Sequence, residues 1–187
     1  MDLKPKQVLI IANHRYDRSP GQRFRYEQYL SFLEQNGYEF TLSNILNQEQ
    51  DFKLYSKGNY WSKLWIEINS WIIRFKDVRR SNNYDIILIY REALLTGSTY
   101  FEKKFGQSKA KVVFDFDDAI WLPNVSAGNK ALQALKRPSK TNEIIRYADM
   151  VFAGNNFLAN YASTFCNQVK VIPTTIDTSY HIRKGDS

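Results

Sequence analysis

The sequence has a single cysteine, Cys166, among its 187 residues. One cysteine excludes a disulfide bond within the chain and favours a reducing, cytoplasmic compartment. The N-terminal apolar run at residues 8–12 is far too short for a secretory signal or a membrane-spanning helix. Only 8 Gly and 5 Pro accompany a hydrophobic content of 43%. This composition argues against disorder and predicts one folded domain.

Three ligand or modification motifs are also missing. The dinucleotide pattern GxGxxG and the phosphate-binding loop GxxxxGK[ST] do not occur. An acidic pair after the first apolar run, which a phosphorylated receiver-type domain would need, is absent as well. The formal net charge of +7 still predicts an anionic partner. Charge alone leaves nucleic acid, sugar nucleotides, prenyl phosphates and an acidic membrane surface open.

Six short apolar runs alternate with longer segments of helical period. This pattern predicts an α/β fold, a Rossmann-like and mostly parallel sheet with helices on both faces. The runs occupy residues 7–12, 38–42, 85–90, 111–116, 150–154 and 169–173. Four of them are almost continuously apolar, as expected of strands that are covered on both faces. Residues 38–42 alternate instead, which predicts a less protected strand.

Helices are predicted between these strands. Residues 23–37 carry a helical apolar period that ends at Gly37, a glycine suited to the end of a helix. Residues 60–80 predict a long amphipathic helix, and residues 155–165 predict a crossover helix that begins with asparagines suited to an N-cap. The last residues resemble a linker. We therefore expect a domain over residues 1–173 and a hinge at 174–187, which leads to a second domain beyond Ser187.

Parallel sheets of this kind bind ligands beyond the carboxyl ends of their strands, so the segments after the strands are the places to search. The first such segment is "NHRYDRSPGQRFR", residues 13–25. Backbone N–H groups and arginine side chains suit a phosphate or pyrophosphate. The alternative is a solvated basic loop. The candidate phosphate-binding residues of this segment are Arg15, Gly21, Arg23 and Arg25. His14 is either a base or a hydrogen-bonded packing residue.

The second segment places Arg91 and Glu92 directly after the strand at 85–90. These two side chains either contact a polar acceptor or form an ordinary ion pair at the end of a strand. The sequence does not choose between these roles.

The third segment, "VFDFDDAIW", places three carboxylates among large apolar residues. Strand alternation puts Asp115 on the face opposite Phe114, with Asp117 and Asp118 in the loop beyond. Carboxylates this close raise one another's pKa, so one of them could act as a base or hold a hydroxyl-rich ligand. Two alternatives stay open: a DxD metal site at residues 115–117, and aspartates that only cap the following turn.

Four segments, taken in order, resemble the N-terminal, acceptor-side domain of a GT-B fold glycosyltransferase of the retaining group 1 or family 4. They are "VLIIANHRYDRSPGQRFR", "VVFDFDDAIW", "RYADMVFAGNNFLANYA" and "VKVIPTTID". The resemblance extends over most of residues 7–177. It implies transfer of a sugar from a nucleotide-sugar donor to a hydroxyl of a saccharide or lipid-linked acceptor, in the cytoplasm or at the inner face of the membrane.

The resemblance also implies roles for particular residues. Gly21 and the arginines at 15, 23 and 25 match a loop that approaches the donor phosphates. Asp117 and Asp118 stand where many members carry a histidine and an aspartate that line the reaction cleft, which makes these two the catalytic candidates. His14, Arg91 and Glu92 fall on the acceptor side.

Three further expectations follow from the family. No cofactor and no metal are expected, because this fold stabilises the leaving diphosphate with basic groups. The paired glutamates of the family belong to its C-terminal domain, so this chain alone is predicted to be inactive. Donor binding is expected mainly from that second domain.

The segment at 60–80 contains Trp61, Trp65 and Trp71, with basic residues around them. It is suited either to an acidic membrane interface or to packing on the sheet. A different class of function also fits the charge and aromatic content: a stand-alone module that binds anions or nucleic acid without catalysis. No recognised nucleic-acid reader motif supports it, and no nucleic-acid partner is expected.

Overall fold

The computed structural model describes residues 4–122, 137 and 139–176, and within them six strands form one sheet. The strands are β1 Lys6–Ala12, β2 Tyr38–Asn44, β3 Ile86–Tyr90, β4 Lys111–Phe116, β5 Met150–Ala153 and β6 Val169–Val171. Their order is β2-β1-β3-β4-β5-β6, and every neighbouring pair is parallel. The predicted Rossmann-like α/β fold is confirmed.

Seven helices within the described residues accompany the sheet. They are α1 Pro20–Arg25, α2 Leu30–Gln35, α3 Gln48–Tyr55, α4 Tyr60–Arg80, α5 Tyr100–Gly106, α6 Lys140–Tyr147 and α7 Asn156–Ala162. Two short 3-10 turns occupy Glu27–Tyr29 and Ser81–Asn83. The predicted crossover helix is α7, and its N-cap Asn155 accepts a hydrogen bond from Leu158 N–H at 2.9 Å.

Alternate residues of the strands feed two apolar cores. Leu9 and Phe114 belong to the larger core, which also includes residues of α5, α6 and α7. Val8 and Tyr90 belong to the smaller core on the other face, where Tyr26 follows α1. The sheet is therefore covered on both faces. Strand β2 lies at one edge, which explains why its sequence alternates.

The first helix was predicted with the wrong bounds. Instead of one helix over residues 23–37, α1 begins earlier, at Pro20, and ends where Tyr26 adopts φ −141° and ψ −34°. The buried ring of Tyr26 packs edge-on against Tyr90 at 5.8 Å, and the helical path breaks there. A 3-10 turn and α2 follow. Gly37 ends α2 in the left-handed region at φ 85°, as predicted.

Helix α4 has the predicted bounds, Tyr60–Arg80. Trp61 and Trp65, in the N-terminal part of its apolar stripe, face outward and are 85% and 63% exposed. Trp71 and Val78 of the same stripe pack against the larger core. The buried side carries Ser70, Arg74 and Asp77 beside a single isoleucine. The tryptophans at 61 and 65 therefore do not pack on the sheet.

Arg74 explains this orientation of α4. Its fully buried guanidinium donates hydrogen bonds to the carbonyls of Ala12 at 2.7 Å and Ala93 at 2.8 Å, and it pairs with Asp77 at 3.0 Å. A buried guanidinium is costly unless its N–H groups find acceptors and a counter-charge, and these partners supply both. The side of α4 that bears Arg74 is consequently the side that is buried.

Candidate ligand-binding site at the carboxyl edge of the sheet

The β1–α1 loop is held by a buried glutamine. His14 N–H donates to Gln22 Oε1 at 3.2 Å, and Gln22 Nε2 donates back to the carbonyl of His14 at 3.1 Å. Glu27 accepts from Gln22 Nε2 at 3.1 Å and from Asp17 N–H at 3.0 Å. Asp17 has φ 58°, an uncommon value for a residue other than glycine. The loop is thus fixed by side chains of α1 and of the 3-10 turn that follows it.

Three arginines of this loop keep part of their surface exposed, and each has an acidic partner. Arg15 Nη1 lies 3.4 Å from Asp51 Oδ2, and Arg18 Nε donates to the same oxygen. Arg23 Nε lies 2.9 Å from Asp17 Oδ1. The carboxylate of Asp51 is buried at the N-terminal half of α3. The loop is therefore basic, although its positive charge is partly compensated.

The position of Arg25 does not fit the phosphate-binding role that was expected of it. Its side chain is only 1% exposed. Its guanidinium donates to both carboxylate oxygens of Asp115, with Nε 3.1 and 3.2 Å away, and to the carbonyl of Ile172. Burial raises the pKa of Asp115 to about 6, and the hydrogen bonds from Arg25 oppose this rise. Arg25 therefore ties α1 to the end of β4 and to the chain after β6.

Arg91 and Asp117 form the centre of the edge. Arg91 Nε donates to Asp117 Oδ1 at 2.8 Å, while its Nη2 lies 2.7 Å from the same oxygen and also donates to Asp118. Arg91 has φ 62°, and its N–H donates to the Asp115 carbonyl at 2.8 Å. Backbone strain of this kind persists only where surrounding contacts hold it and is common at functional sites.

Tyr90 connects this pair to the β1–α1 loop. Its hydroxyl donates to Asp117 Oδ1 at 3.2 Å. Burial raises the pKa of Tyr90, and the nearby Asp117 carboxylate adds to that effect, so the hydroxyl stays protonated as a donor. A side chain at Gly21 would overlap this hydroxyl, and a Cβ at Gly154 would lie 3.1 Å from the α-carbon of Asp117. The two glycines therefore allow the close approach.

Glu92 does not pair with Arg91. Its carboxylate accepts a hydrogen bond from Lys140 Nζ of α6 at 2.9 Å, and Lys140 also donates to the carbonyl of Leu94 at 2.6 Å. A pocket of about 120 Å³ opens between these groups. It is lined by Arg91, Glu92, Thr96, Ile120, Arg137, Lys140, Thr141 and Ile144.

The DxD metal alternative has little geometric support. The carboxylates of Asp115 and Asp117 are held by two different arginines, Arg25 and Arg91. Over residues 4–122, 137 and 139–176, no three His, Cys, Asp or Glu side chains are grouped as metal ligands.

Several residues of the site were not predicted from the sequence, namely Gln22, Asp51, Tyr90 and Lys140. Helix α3, which carries Asp51, could have been found. Asn47 and Gln50 form a capping box, in which each side chain bonds to the backbone N–H of the other, at 2.8 and 3.0 Å. The N-x-x-Q spacing is a recognisable start of a helix. Lys140 follows no strand directly, so strand ends alone could not indicate it.

No family model matches the sequence, and no curated protein matches it. Among solved structures, the chain is similar to an alpha-glucosyltransferase in complex with UDP-glucose and DNA containing an abasic site, with 18% sequence identity and a TM-score of 0.46. The match covers 91% of this chain and 42% of that chain. The chain thus spans less than half the length of that protein.

Fold and site together define a Rossmann-like α/β domain. Its candidate ligand-binding edge, the ligand edge, is formed by a fixed basic loop after β1, a strained arginine after β3 and two aspartates after β4.

Proposed function

We propose that this chain is the acceptor-side domain of a GT-B glycosyltransferase that transfers a hexosyl group from a nucleotide sugar to a hydroxyl. Loops from three strands meet at one edge of the sheet, and this observation carries the proposal. Gly21, Tyr90, Arg91 and Asp117 are in direct contact there. Such an edge offers cations for phosphate and carboxylates for sugar hydroxyls side by side.

The roles divide between the loops. Gly21, Arg15 and Arg23 face the donor phosphates, because Arg15 and Arg23 keep exposed guanidinium surface whereas Arg25 does not. Asp117 and Asp118 orient the acceptor hydroxyl, and Arg91 holds both of them. Glu92 and His14 complete the acceptor side.

The wider reaction is part of the proposal. Retention at the sugar carbon, a saccharide or lipid-linked acceptor and a role in polysaccharide biosynthesis follow from the resemblance of the sequence segments. A second domain with paired glutamates supplies most of the donor site, so the chain alone binds donor weakly and does not turn over.

NMR titration of the labelled chain with UDP and GDP tests donor contact. We expect weak, saturable shifts at residues 14–23, lost in the R15A/R23A variant. A K103A/K109A variant removes two exposed lysines elsewhere and should behave like the wild type. Random single-stranded RNA or DNA that binds more tightly than either nucleotide, in a strongly salt-dependent way, would favour the non-catalytic anion-binding module instead.

We further propose that α4 rests on an acidic membrane, where a lipid-linked acceptor would be found. Among the residues that the structure describes, no helix has the length and apolar content to cross a membrane. The outward stripe of α4 is nevertheless apolar over four turns. It consists of Trp61, Leu64, Trp65, Ile68, Ile72 and Phe75. Lys76 and Arg79 are exposed on the same helix, and its acidic residues Glu67 and Asp77 accept hydrogen bonds from Trp71 and Arg74.

This charge pattern suits an interfacial helix on anionic lipid. Flotation with phosphatidylglycerol vesicles at low salt should recover the chain, and neutral vesicles should not. The W61S/W65S variant should float poorly, whereas F32S/F157S, which removes two exposed rings outside α4, should float normally. Absence of flotation on acidic vesicles at low salt would sink the membrane proposal.

A further inference from the structure

A groove of about 490 Å³ lies between α3 and the start of α4. Helix α3 contributes Glu49 and Gln50 to one wall, and α4 contributes Trp61 and Trp65 to the other. Pockets of about 300–1,000 Å³ are typical of sites for small ligands. Asp51 of α3 does not line this α3–α4 groove, because it is turned toward the loop arginines with which it pairs. Helix α3 therefore separates the groove from the ligand edge.

The two tryptophans of the groove lack partners. Trp71 and Trp121 each pack against other aromatic rings. Among the residues that the structure describes, neither Trp61 nor Trp65 meets another ring or donates a hydrogen bond from its indole N–H, and both rings are mainly exposed. Their spacing of four positions places them on the same side of α4. The face of an indole is electron-rich and stacks on weakly positive C–H groups, such as those on the flat face of a sugar ring.

The wall formed by α3 offers hydrogen-bonding groups. The side-chain oxygens of Asn47 and Gln50 are used in the capping box at 2.8 and 3.0 Å, and within the described part of the chain their NH₂ groups have no acceptor. Glu49 accepts from Lys53 through only one of its carboxylate oxygens. The hydroxyl of Ser62 lines the groove from α4. Donors and acceptors therefore stand beside the two indole rings, as a ligand with many hydroxyls requires.

We propose that the α3–α4 groove binds a neutral saccharide, with its ring faces on the two tryptophans and its hydroxyls on the polar groups of α3. A polyanion fits less well. Glu49 and Lys53 are the charged residues of the groove and cancel each other, so phosphates meet no excess of positive charge there. A lipid chain fits less well because it would cover the carboxylate and the amides without offering them hydrogen bonds.

The binding itself does not rest on the proposed glycosyltransferase function. One use of the groove does rest on it: in such an enzyme the groove holds sugar units of the acceptor other than the one that reacts. The membrane proposal for α4 shares only Trp61 and Trp65 with the groove, because Ile68, Ile72 and Phe75 do not line it.

NMR of the indole N–H groups tests the site, with maltotriose, cellotriose and triacetylchitotriose as separate probes. We expect saturable shifts at Trp61 and Trp65, while Trp71 and Trp121 serve as unmoved internal controls. W61A should weaken the binding about tenfold through loss of one stacked ring. The proposal is overturned by an absence of saturable shifts with all three probes, or by unchanged affinity in W61A.

The exchange variant E49Q/Q50E separates saccharide binding from membrane contact. It keeps the net charge, the tryptophans and an oxygen at position 50 for the capping box, but it moves the amide donor and the carboxylate. Saccharide affinity should fall about fivefold for each hydrogen bond lost, whereas flotation on acidic vesicles should not change. Wild-type saccharide affinity in this variant would overturn the role of the α3 wall. A single-stranded oligonucleotide that shifts Trp61 and Trp65 at lower concentration than any of the saccharides would overturn the ligand class. Failure of UDP and GDP to shift residues 14–23 would count against the transferase and leave this site standing.

Discussion

The hydroxyl of Tyr90 occupies the space beside the α-carbon of Gly21, where any side chain would overlap it. Strand β3 and the start of α1 meet at this contact. The same hydroxyl donates to Asp117. The spacing between the basic loop and the aspartates therefore depends on the absence of a side chain at Gly21. The conformational freedom of glycine is not needed here; only its size is.

Replacing Gly21 with alanine should therefore destabilise the chain. Overpacking of a close contact costs about 1–3 kcal/mol, and urea denaturation would measure the loss in the free energy of unfolding. The G21A/Y90F double variant lacks the overlapping oxygen, and the nearest remaining ring atom would lie 3.4 Å from the new methyl group. G21A should thus cost less in the Y90F background. Equal costs in both backgrounds would show that the contact does not set the spacing.

Breaking the buried pair of Arg25 and Asp115 should lower the free energy of unfolding strongly. D115N leaves a buried guanidinium without its counter-charge, and losses of about 3–5 kcal/mol are typical of such sites. The exposed pair of Glu49 and Lys53 is the matched control, and E49Q should have no measurable effect on stability. Thermal and urea unfolding of both variants would compare them. A small loss in D115N would mean that water reaches Arg25.

His14 should make stability fall on mild acidification. Because the side chain is largely buried, its pKa in the folded chain lies below the ordinary value of 6.5, and the unfolded chain binds the proton more readily. Stability therefore falls as pH drops below about 6.5, and this contribution levels off below the folded pKa. The free energy of unfolding of H14Q should depend less on pH in that window than that of the wild type or H181Q. Identical slopes in all three proteins would contradict the predicted direction.

The four inner strands were predictable because their apolar runs are covered on both faces, and the edge strand β2 was recognisable by its alternation. The other edge strand, β6, was recognised by its apolar run although two of its three residues are exposed. The break after α1 was not predictable, since it depends on the ring of Tyr26 meeting Tyr90 from a distant strand. Helix period located α4 but did not decide which of its sides is buried. Apolar residues usually mark the core, and nothing local indicates that Arg74 finds its partners on β1 and after β3.

The site likewise contains residues whose place the sequence could predict and residues whose place it could not. Strand ends indicated that Arg91 and Asp117 lie at one edge of the sheet, because carboxyl ends of parallel strands share an edge, but not that these two side chains pair with each other. The burial of Arg25 could not be predicted, because it depends on pairing with Asp115, which lies 90 positions away in the sequence. Asp51 was missed because α3 follows the edge strand and its role appears only against His14 and the loop arginines.

Arg74 gives the last prediction, because it connects the exposed helix to the site. Its guanidinium bonds the carbonyl of Ala12, two residues before His14, and the carbonyl of Ala93, two residues after Arg91. R74L would leave these buried carbonyls and Asp77 without their partner, a loss of about 3–5 kcal/mol for a broken buried network. R79L, which removes an exposed arginine from the same helix, should cost almost nothing.

A second measurement distinguishes a global effect of Arg74 on stability from a local effect on the loops of the site. Amide exchange in R74K, which keeps one charge but loses the planar fork, should quicken at residues 12–14 and 91–93 before the rest of the sheet is affected. Exchange that quickens uniformly would mean that Arg74 only stabilises the fold. Local quickening would show that α4 and the ligand edge are coupled through this one side chain, so that whatever α4 rests on can influence the loops of the site.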